Sequence, residues 1–184
     1  TEKDRQDLSF LVDHVDMFGL SFVRDVDDIA SLEVELEKHD ATDVGIVLKI
    51  ENRRAFENLP SLLLASLRTP PDGVMLARGD LAAEVGFLRL AEVQKEILCL
   101  CEAAHMPVIW ATQVLEGLAK TGSPSRAEVT DVVTGGLAEC VMLNKGPFIT
   151  EAVNFLDDTL ERMDAHRSKR RTMLRRLAVS ENIT

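Results

Sequence analysis

The chain reads as an α/β fold: part of a (β/α)8 TIM barrel, with about five βα units and parallel strands. Three observations predict it. Short apolar, β-branched-rich runs recur about every 30 residues, the size of one βα unit. Amphipathic helical patterns fill the gaps between them. Three of the runs end in polar clusters: Lys49-Ile50-Glu51-Asn52, Ala77-Arg78-Gly79-Asp80-Leu81 and Trp110-Ala111-Thr112-Gln113. Polar groups at the ends of successive strands belong at the C-terminal mouth of a parallel barrel.

The elements follow in order. The charged start Thr1-Glu2-Lys3-Asp4-Arg5 reads as the opening of a helix. The apolar runs are Met17 to Val23, Gly45 to Ile50, Gly73 to Ala77, Pro107 to Ala111 and Glu139 to Leu143. They are continuous rather than alternating, which suits parallel strands covered on both faces. Between them, Asp27 to Lys38 places Ile29, Leu32, Val34 and Leu36 among charges. Phe56 to Leu67 and Leu88 to Ala104 carry apolar residues at helical spacing, and Phe148 to Met163 is a further amphipathic helix. Arg78-Gly79-Asp80 reads as a strand running into a short helix. Ser125-Arg126-Ala127-Glu128 has the spacing of a capping box, with Ser125 as N-cap.

A doubly wound sheet shares this alternation, but it would carry a glycine-rich phosphate loop after its first strand. Ser21-Phe22-Val23-Arg24 stands there instead. A closed barrel needs eight units, so three more are expected to come from an N-terminal segment or from another chain. Self-association, or a missing N-terminal segment, is therefore expected. The domain division expected is 1–165 as a partial barrel and 166–184 as a basic C-terminal helix or tail.

Composition excludes several classes. Hydrophobic residues make up 46% of the 184, too many for disorder. No apolar stretch approaches the roughly 20 residues of a membrane span, and no signal peptide opens the chain, so a cytoplasmic location is expected. The three cysteines form no disulfide framework. Cys99, Cys101 and Cys140 are expected to be core or near-core thiols in a reducing compartment. The four histidines show no zinc spacing. A net charge of −10 argues against nucleic acid as a partner of the body. Arg162 to Arg176 holds seven Lys/Arg against one acid, a local +6 that leaves −16 elsewhere. No aromatic residue interleaves those charges, which favours a solvated or docked tail over an RNA contact.

Lys49 and Glu51 are two apart and so face the same way from one strand. With Asp80 from the next strand end, Glu51 makes a hard, oxygen-rich pair suited to Mg²⁺ or Mn²⁺ rather than zinc. Lys49 beside the cation would put positive charge where an enolate or a transferring phosphoryl group develops negative charge. Backbone N–H groups around Arg78, Gly79 and Asp80 could hold a carboxylate. Thr112 could donate a hydrogen bond to it or help deliver a proton. Each residue also has a structural alternative: a solvated Lys–Glu ion pair, a common Arg-Gly-Asp tripeptide, a threonine acting as helix N-cap.

At these residues the chain resembles pyruvate kinase, and the resemblance covers nearly all of it. Val15-Asp16-Met17 and Ser21-Phe22-Val23-Arg24 resemble the strand before the family's lysine strand. Lys49-Ile50-Glu51-Asn52 resembles the lysine-and-metal strand itself. Asp72-Gly73-Val74-Met75-Leu76-Ala77-Arg78-Gly79-Asp80-Leu81 resembles the second metal strand and its carboxylate-binding turn. Pro107-Val108-Ile109-Trp110-Ala111-Thr112-Gln113-Val114-Leu115-Glu116 and Pro124-Ser125-Arg126-Ala127-Glu128 follow in family order.

The resemblance implies transfer of a phosphoryl group from phosphoenolpyruvate to ADP, giving pyruvate and ATP. It implies catalytic roles for Lys49 and Thr112, substrate contacts from Arg78, Gly79, Asp80 and Thr112, and Mg²⁺ (or Mn²⁺) on Glu51 and Asp80. The family's K⁺ ligands would lie outside this chain, as would its nucleotide-contacting arginine, its lid and its regulatory domain. The chain alone is thus expected to be inactive. Met142-Leu143-Asn144-Lys145-Gly146-Pro147 departs from the family's serine-glycine-glutamate. Two other readings stand beside this one: a metal-dependent pyruvate-enolate lyase or aldolase on the same barrel, and a non-catalytic interaction module.

Overall fold

The computed structural model describes residues 1–68 and 72–171, with side chains described to 164. Nine helices and five strands occur among them. The strands are β1 (Met17–Leu20), β2 (Gly45–Ile50), β3 (Asp72–Ala77), β4 (Val108–Val114) and β5 (Cys140–Leu143). They form one sheet in the order β1-β2-β3-β4-β5, and β1/β2, β2/β3 and β3/β4 pair in parallel. Spatial order equals chain order throughout. A doubly wound sheet reverses direction at a switch point; this sheet has none, so it is the barrel alternative that is realised, as an open part-barrel.

The helices are α1 (Glu2–Leu11), α2 (Val26–Glu37), α3 (Arg53–Glu57), α4 (Leu59–Ser66), α5 (Arg78–Val85), α6 (Phe87–Ala103), α7 (Glu116–Thr121), α8 (Arg126–Gly135) and α9 (Ile149–Arg171). The chain divides into two compact units, Thr1–Val114 with Leu137–Met142, and Leu115–Gly136 with the chain from Leu143 onward. In the first, the core is built from Ile46, Leu48 and Ile50 of β2, Val74 and Leu76 of β3, Val108 and Trp110 of β4, and the inward faces of α2, α4 and α6. β2 is buried at five of its six positions, as expected of a strand covered on both faces. In the second, α7 and α8 pack on α9. Ser125 and Glu128 close the expected capping box at the start of α8.

Four expectations are corrected. The first strand ends at Leu20 rather than Val23, because Phe22 turns the backbone left-handed at φ 55°. The single helix expected over Phe56 to Leu67 is two, α3 and α4, divided at Asn58. Pro60 sits in the first turn of α4, where its missing N–H costs nothing, whereas in a continuous helix it would break the ladder. The fourth strand extends past Ala111 to Val114. Of the three thiols expected in or near the core, only Cys101 is buried; Cys99 and Cys140 are exposed. Cys99 lies two residues from Cys101 and so faces away on α6, while Cys140 stands on the terminal strand of the sheet, half of whose positions are exposed. Burial pushes the Cys101 thiol up to about 12.

The basic segment Arg167-Ser168-Lys169-Arg170-Arg171 is backbone of α9, which runs unbroken from Ile149 to Arg171. The tail from 172 onward lies outside the described residues. No helix among the described residues is long and apolar enough to cross a membrane.

Candidate functional site

The register sets the level of each strand end. The last residues in register are Leu20↔Leu48, Ile50↔Leu76 and Ala77↔Ala111. One residue further along, Ser21 comes level with Lys49, Glu51 with Ala77, and Arg78 with Thr112. The polar clusters therefore share the exit edge of neighbouring strands.

Two bonded groups form there. In the first, the Lys49 ammonium pairs with Glu51 Oε1 at 2.8 Å and donates to Ser21 Oγ at 2.8 Å. Glu51 Oε2 accepts the Phe22 N–H at 2.6 Å. The left-handed Phe22 that ends β1 is thus what aims that N–H at the carboxylate. Glu51 is 3% exposed and the Lys49 side chain 25%, so the pair is far from a solvated surface bridge. Asn52, next in sequence, caps α3 by accepting the Ala55 N–H and donates to Val23 O, both at 2.9 Å. That pins the chain on both sides of Glu51.

In the second group, Gly79 N–H donates to Thr112 Oγ1 at 3.0 Å. Arg78 Nε donates to Ala111 O at 2.8 Å, and its terminal nitrogen donates to Thr112 O at 2.5 Å. The guanidinium lies 4.4 Å from the Trp110 ring centroid. A Cβ on Gly79 would meet Thr112 at 3.9 Å, ordinary van der Waals contact. Thr112 is not the N-cap residue of α7, which begins after Leu115; its hydroxyl instead accepts a first-turn N–H of α5.

Asp80 stands exposed in the first turn of α5 and is not part of either bonded group. Among the described residues no cluster of three or more His, Cys, Asp or Glu could hold a metal ion. The carboxylates expected to hold a cation are Glu51 and Asp80, a set that would suit Mg²⁺, which commonly keeps several waters and takes one or two carboxylates plus substrate oxygens. Both Glu51 oxygens are engaged here, one by Lys49 and one by the Phe22 N–H.

Two other carboxylates sit at the entry edge and serve the fold. Asp72 Oδ1 accepts the Ile46 N–H at 3.0 Å and Oδ2 accepts the Ser66 hydroxyl at 2.5 Å. Glu139 Oε2 accepts the Val108 N–H at 2.8 Å. Ends of parallel barrel strands divide in this way, chemistry at the exit and stability at the entry.

Sequence reasoning gave no site role to Ser21, Phe22 or Trp110. Ser21 was detectable, because it follows β1 as Glu51 follows β2. The Phe22 N–H was not, since it depends on a left-handed backbone at a bulky residue. Asn144 and Lys145 follow β5 in the second unit.

The pyruvate kinase barrel-domain family matches residues 1–153. The pyruvate kinase of Bacillus licheniformis is 35% identical over the whole chain and 32% of its own length. That of Lachancea kluyveri is 39% identical over 86% of the chain and 32% of its own length. Plastidial pyruvate kinase 3 of Arabidopsis thaliana, a chloroplastic protein by name, is 38% identical over 90% of the chain and 29% of its own length. The chain spans about a third of the length of the curated relatives it matches.

Proposed function

The chain belongs to the pyruvate kinase family, and on that premise we propose that it supplies the metal-and-lysine part of a site for phosphoryl transfer from phosphoenolpyruvate to ADP. The observation that carries this is the strand-end Lys49 ammonium, held between Ser21 Oγ and a nearly fully buried Glu51 carboxylate.

Glu51 and Asp80 would hold a divalent cation, Mg²⁺ or Mn²⁺, which would supply neutralising charge to the phosphoryl and enolate oxygens. Lys49, fixed by Ser21 and Glu51, directs its ammonium to the same charge without reorganising as the charge develops. In the transfer, a terminal phosphate oxygen of ADP forms a bond to phosphorus as the enol C–O–P linkage breaks. The enolate keeps the electron pair and takes a proton at its methylene carbon to give pyruvate.

Thr112 and the Asp80 backbone N–H, in the first turn of α5, hold the substrate carboxylate, with Gly79 placing the Thr112 hydroxyl. Because Thr112 Oγ1 already accepts from Gly79 N–H, its own proton is available to donate. Residues 1–165 form the catalytic part-barrel, and 166–184 a basic appendage. The chain covers a third of its relatives, so ATP formation is assigned to an assembly larger than this chain. Proton exchange on pyruvate is the partial reaction its own residues can carry.

The test is exchange of pyruvate methyl protons in deuterated buffer with Mn²⁺, followed by NMR. Lys49→Met should lower the exchange rate at least about a hundredfold, the scale of one lost electrostatic donor. Exchange at the parent rate in that variant would remove Lys49 from the mechanism. Asp80→Ala should weaken Mn²⁺ binding about tenfold, because hard cations depend on carboxylate count. Unchanged affinity would place the cation elsewhere.

A further inference from the structure

The Arg78 guanidinium bonds to two successive carbonyls, Ala111 O and Thr112 O, and rests on the Trp110 ring. The backbone it grips is unusual. Thr112 has φ 67° and Gln113 φ 57°, a left-handed conformation that a β-branched residue adopts only against steric cost. Such residues persist where their surroundings over-determine them. Trp110 is fully buried, and its Nε1 makes no hydrogen bond. An indole with its polar atom left unsatisfied contributes through its face, here as a floor for a planar cation.

We propose that Arg78 is a positioning residue: seated on Trp110, its forked guanidinium holds the Ala111 and Thr112 carbonyls so that Thr112 stays left-handed and presents its hydroxyl to the substrate carboxylate. This rests on the reading of Thr112 given above and deepens it. Every polar group of the turn then has a task. The carbonyls accept from Arg78, Gly79 N–H donates to Thr112 Oγ1, and the hydroxyl proton is left for substrate. Lysine, a single ammonium without a planar fork, cannot grip two carbonyls in this way.

A double-mutant cycle tests it, using the full chain loaded with Mn²⁺ and titrated calorimetrically with oxalate, a planar mimic of enolpyruvate. Thr112→Val should weaken oxalate about tenfold, and Arg78→Gln by a similar factor. The double variant should again lose only about tenfold, because both changes act through one hydroxyl. Trp110 is the only tryptophan and the chain has no tyrosine. Its near-ultraviolet circular dichroism should therefore diminish in Arg78→Gln and persist in Thr112→Val. Multiplying losses, about a hundredfold in the double variant, would overturn the positioning role and make Arg78 a direct ligand. Parent affinity in Thr112→Val would overturn the Thr112 reading and this inference with it. Where Arg78→Gln fails to fold, Arg78→Lys takes its place. It keeps the charge but not the fork, and parent affinity in it would equally overturn the proposal.

Discussion

Glu51 and Asp72 show how the same kind of group takes opposite roles at the two edges of one sheet. At the exit edge, Glu51 is buried with an ammonium on one oxygen and an N–H on the other. At the entry edge, Asp72 has only neutral donors, the Ser66 hydroxyl and the Ile46 N–H. Burial accordingly pushes the Asp72 carboxyl above its usual range, those two hydrogen bonds oppose the rise, and the nearby Glu33 charge adds to it. The sign follows from linkage. A carboxyl raised in the folded state stabilises it while protonated, and that contribution is lost as pH rises through the folded value. Asp72→Asn keeps an acceptor for Ile46 N–H and an amide for Ser66 Oγ but never ionises. Its urea midpoint should therefore gain on the parent's as pH rises from about 4 to about 7. Parallel midpoints across that window would mean the charge carries no cost. None of this is visible in the sequence, where Asp72 is only the residue before the apolar run that begins at Gly73.

Among the elements, α8 is one whose start the sequence spells out in full. Ser125 and Glu128 have capping-box spacing, and both bonds form: Ser125 N–H to Glu128 Oε2 at 2.7 Å and Glu128 N–H to Ser125 Oγ at 3.2 Å. The other Glu128 oxygen accepts the Gly117 N–H at 2.5 Å, which ties α8 to α7 within their unit. A Cβ on Gly117 would stand 2.8 Å from Glu128 Oε2, so glycine is what lets the carboxylate come so close. Burial pushes the Glu128 carboxyl up, but the Ser125, Gly117 and Leu118 hydrogen bonds outweigh it, and the group sits below its usual range. Its contribution is present above the ordinary carboxylate range and fades as pH falls through the folded value. Glu128→Ala should cost about 1–2 kcal/mol near neutral pH, the worth of a cap plus an orphaned N–H. The difference from the parent should shrink in acid. A pH-independent difference in denaturation midpoints would trace the loss to packing instead. The α3–α4 break is the contrary case. Apolar spacing runs straight through Asn58, and only Pro60 marks the division.

For the whole molecule, the consequential feature is a parallel sheet whose strands follow chain order from β1 to β5. Its outer strands present backbone groups that seek partners. Half the positions of β1 are exposed, and Met17 is 53% so. The partner proposed for these edges is a second copy or a further barrel segment. Sedimentation equilibrium on the chain alone should give a mass that rises above 20.4 kDa with concentration. A monomer mass at every concentration would count against self-association and against the interaction-module reading.

What the sequence determined by itself was whatever depends on periodicity and local chemistry. Strand and helix repeats fixed the alternation, and the capping box at Ser125 fixed a helix start. The polar residues closing three apolar runs named Lys49, Glu51, Arg78, Gly79, Asp80 and Thr112 as candidates. What the tertiary structure alone decided was which of these meet. Lys49 pairs with Glu51 and Ser21, whereas Gly79 and Arg78 bind Thr112. Asp80 stands exposed on α5. Apart from Lys49–Glu51, two apart on one strand, those partnerships run between residues about 30 apart and depend on register and on left-handed backbone at Phe22 and Thr112. Register is set by the burial of whole strands and such backbone by the packing around it, so neither is written in any local stretch of sequence.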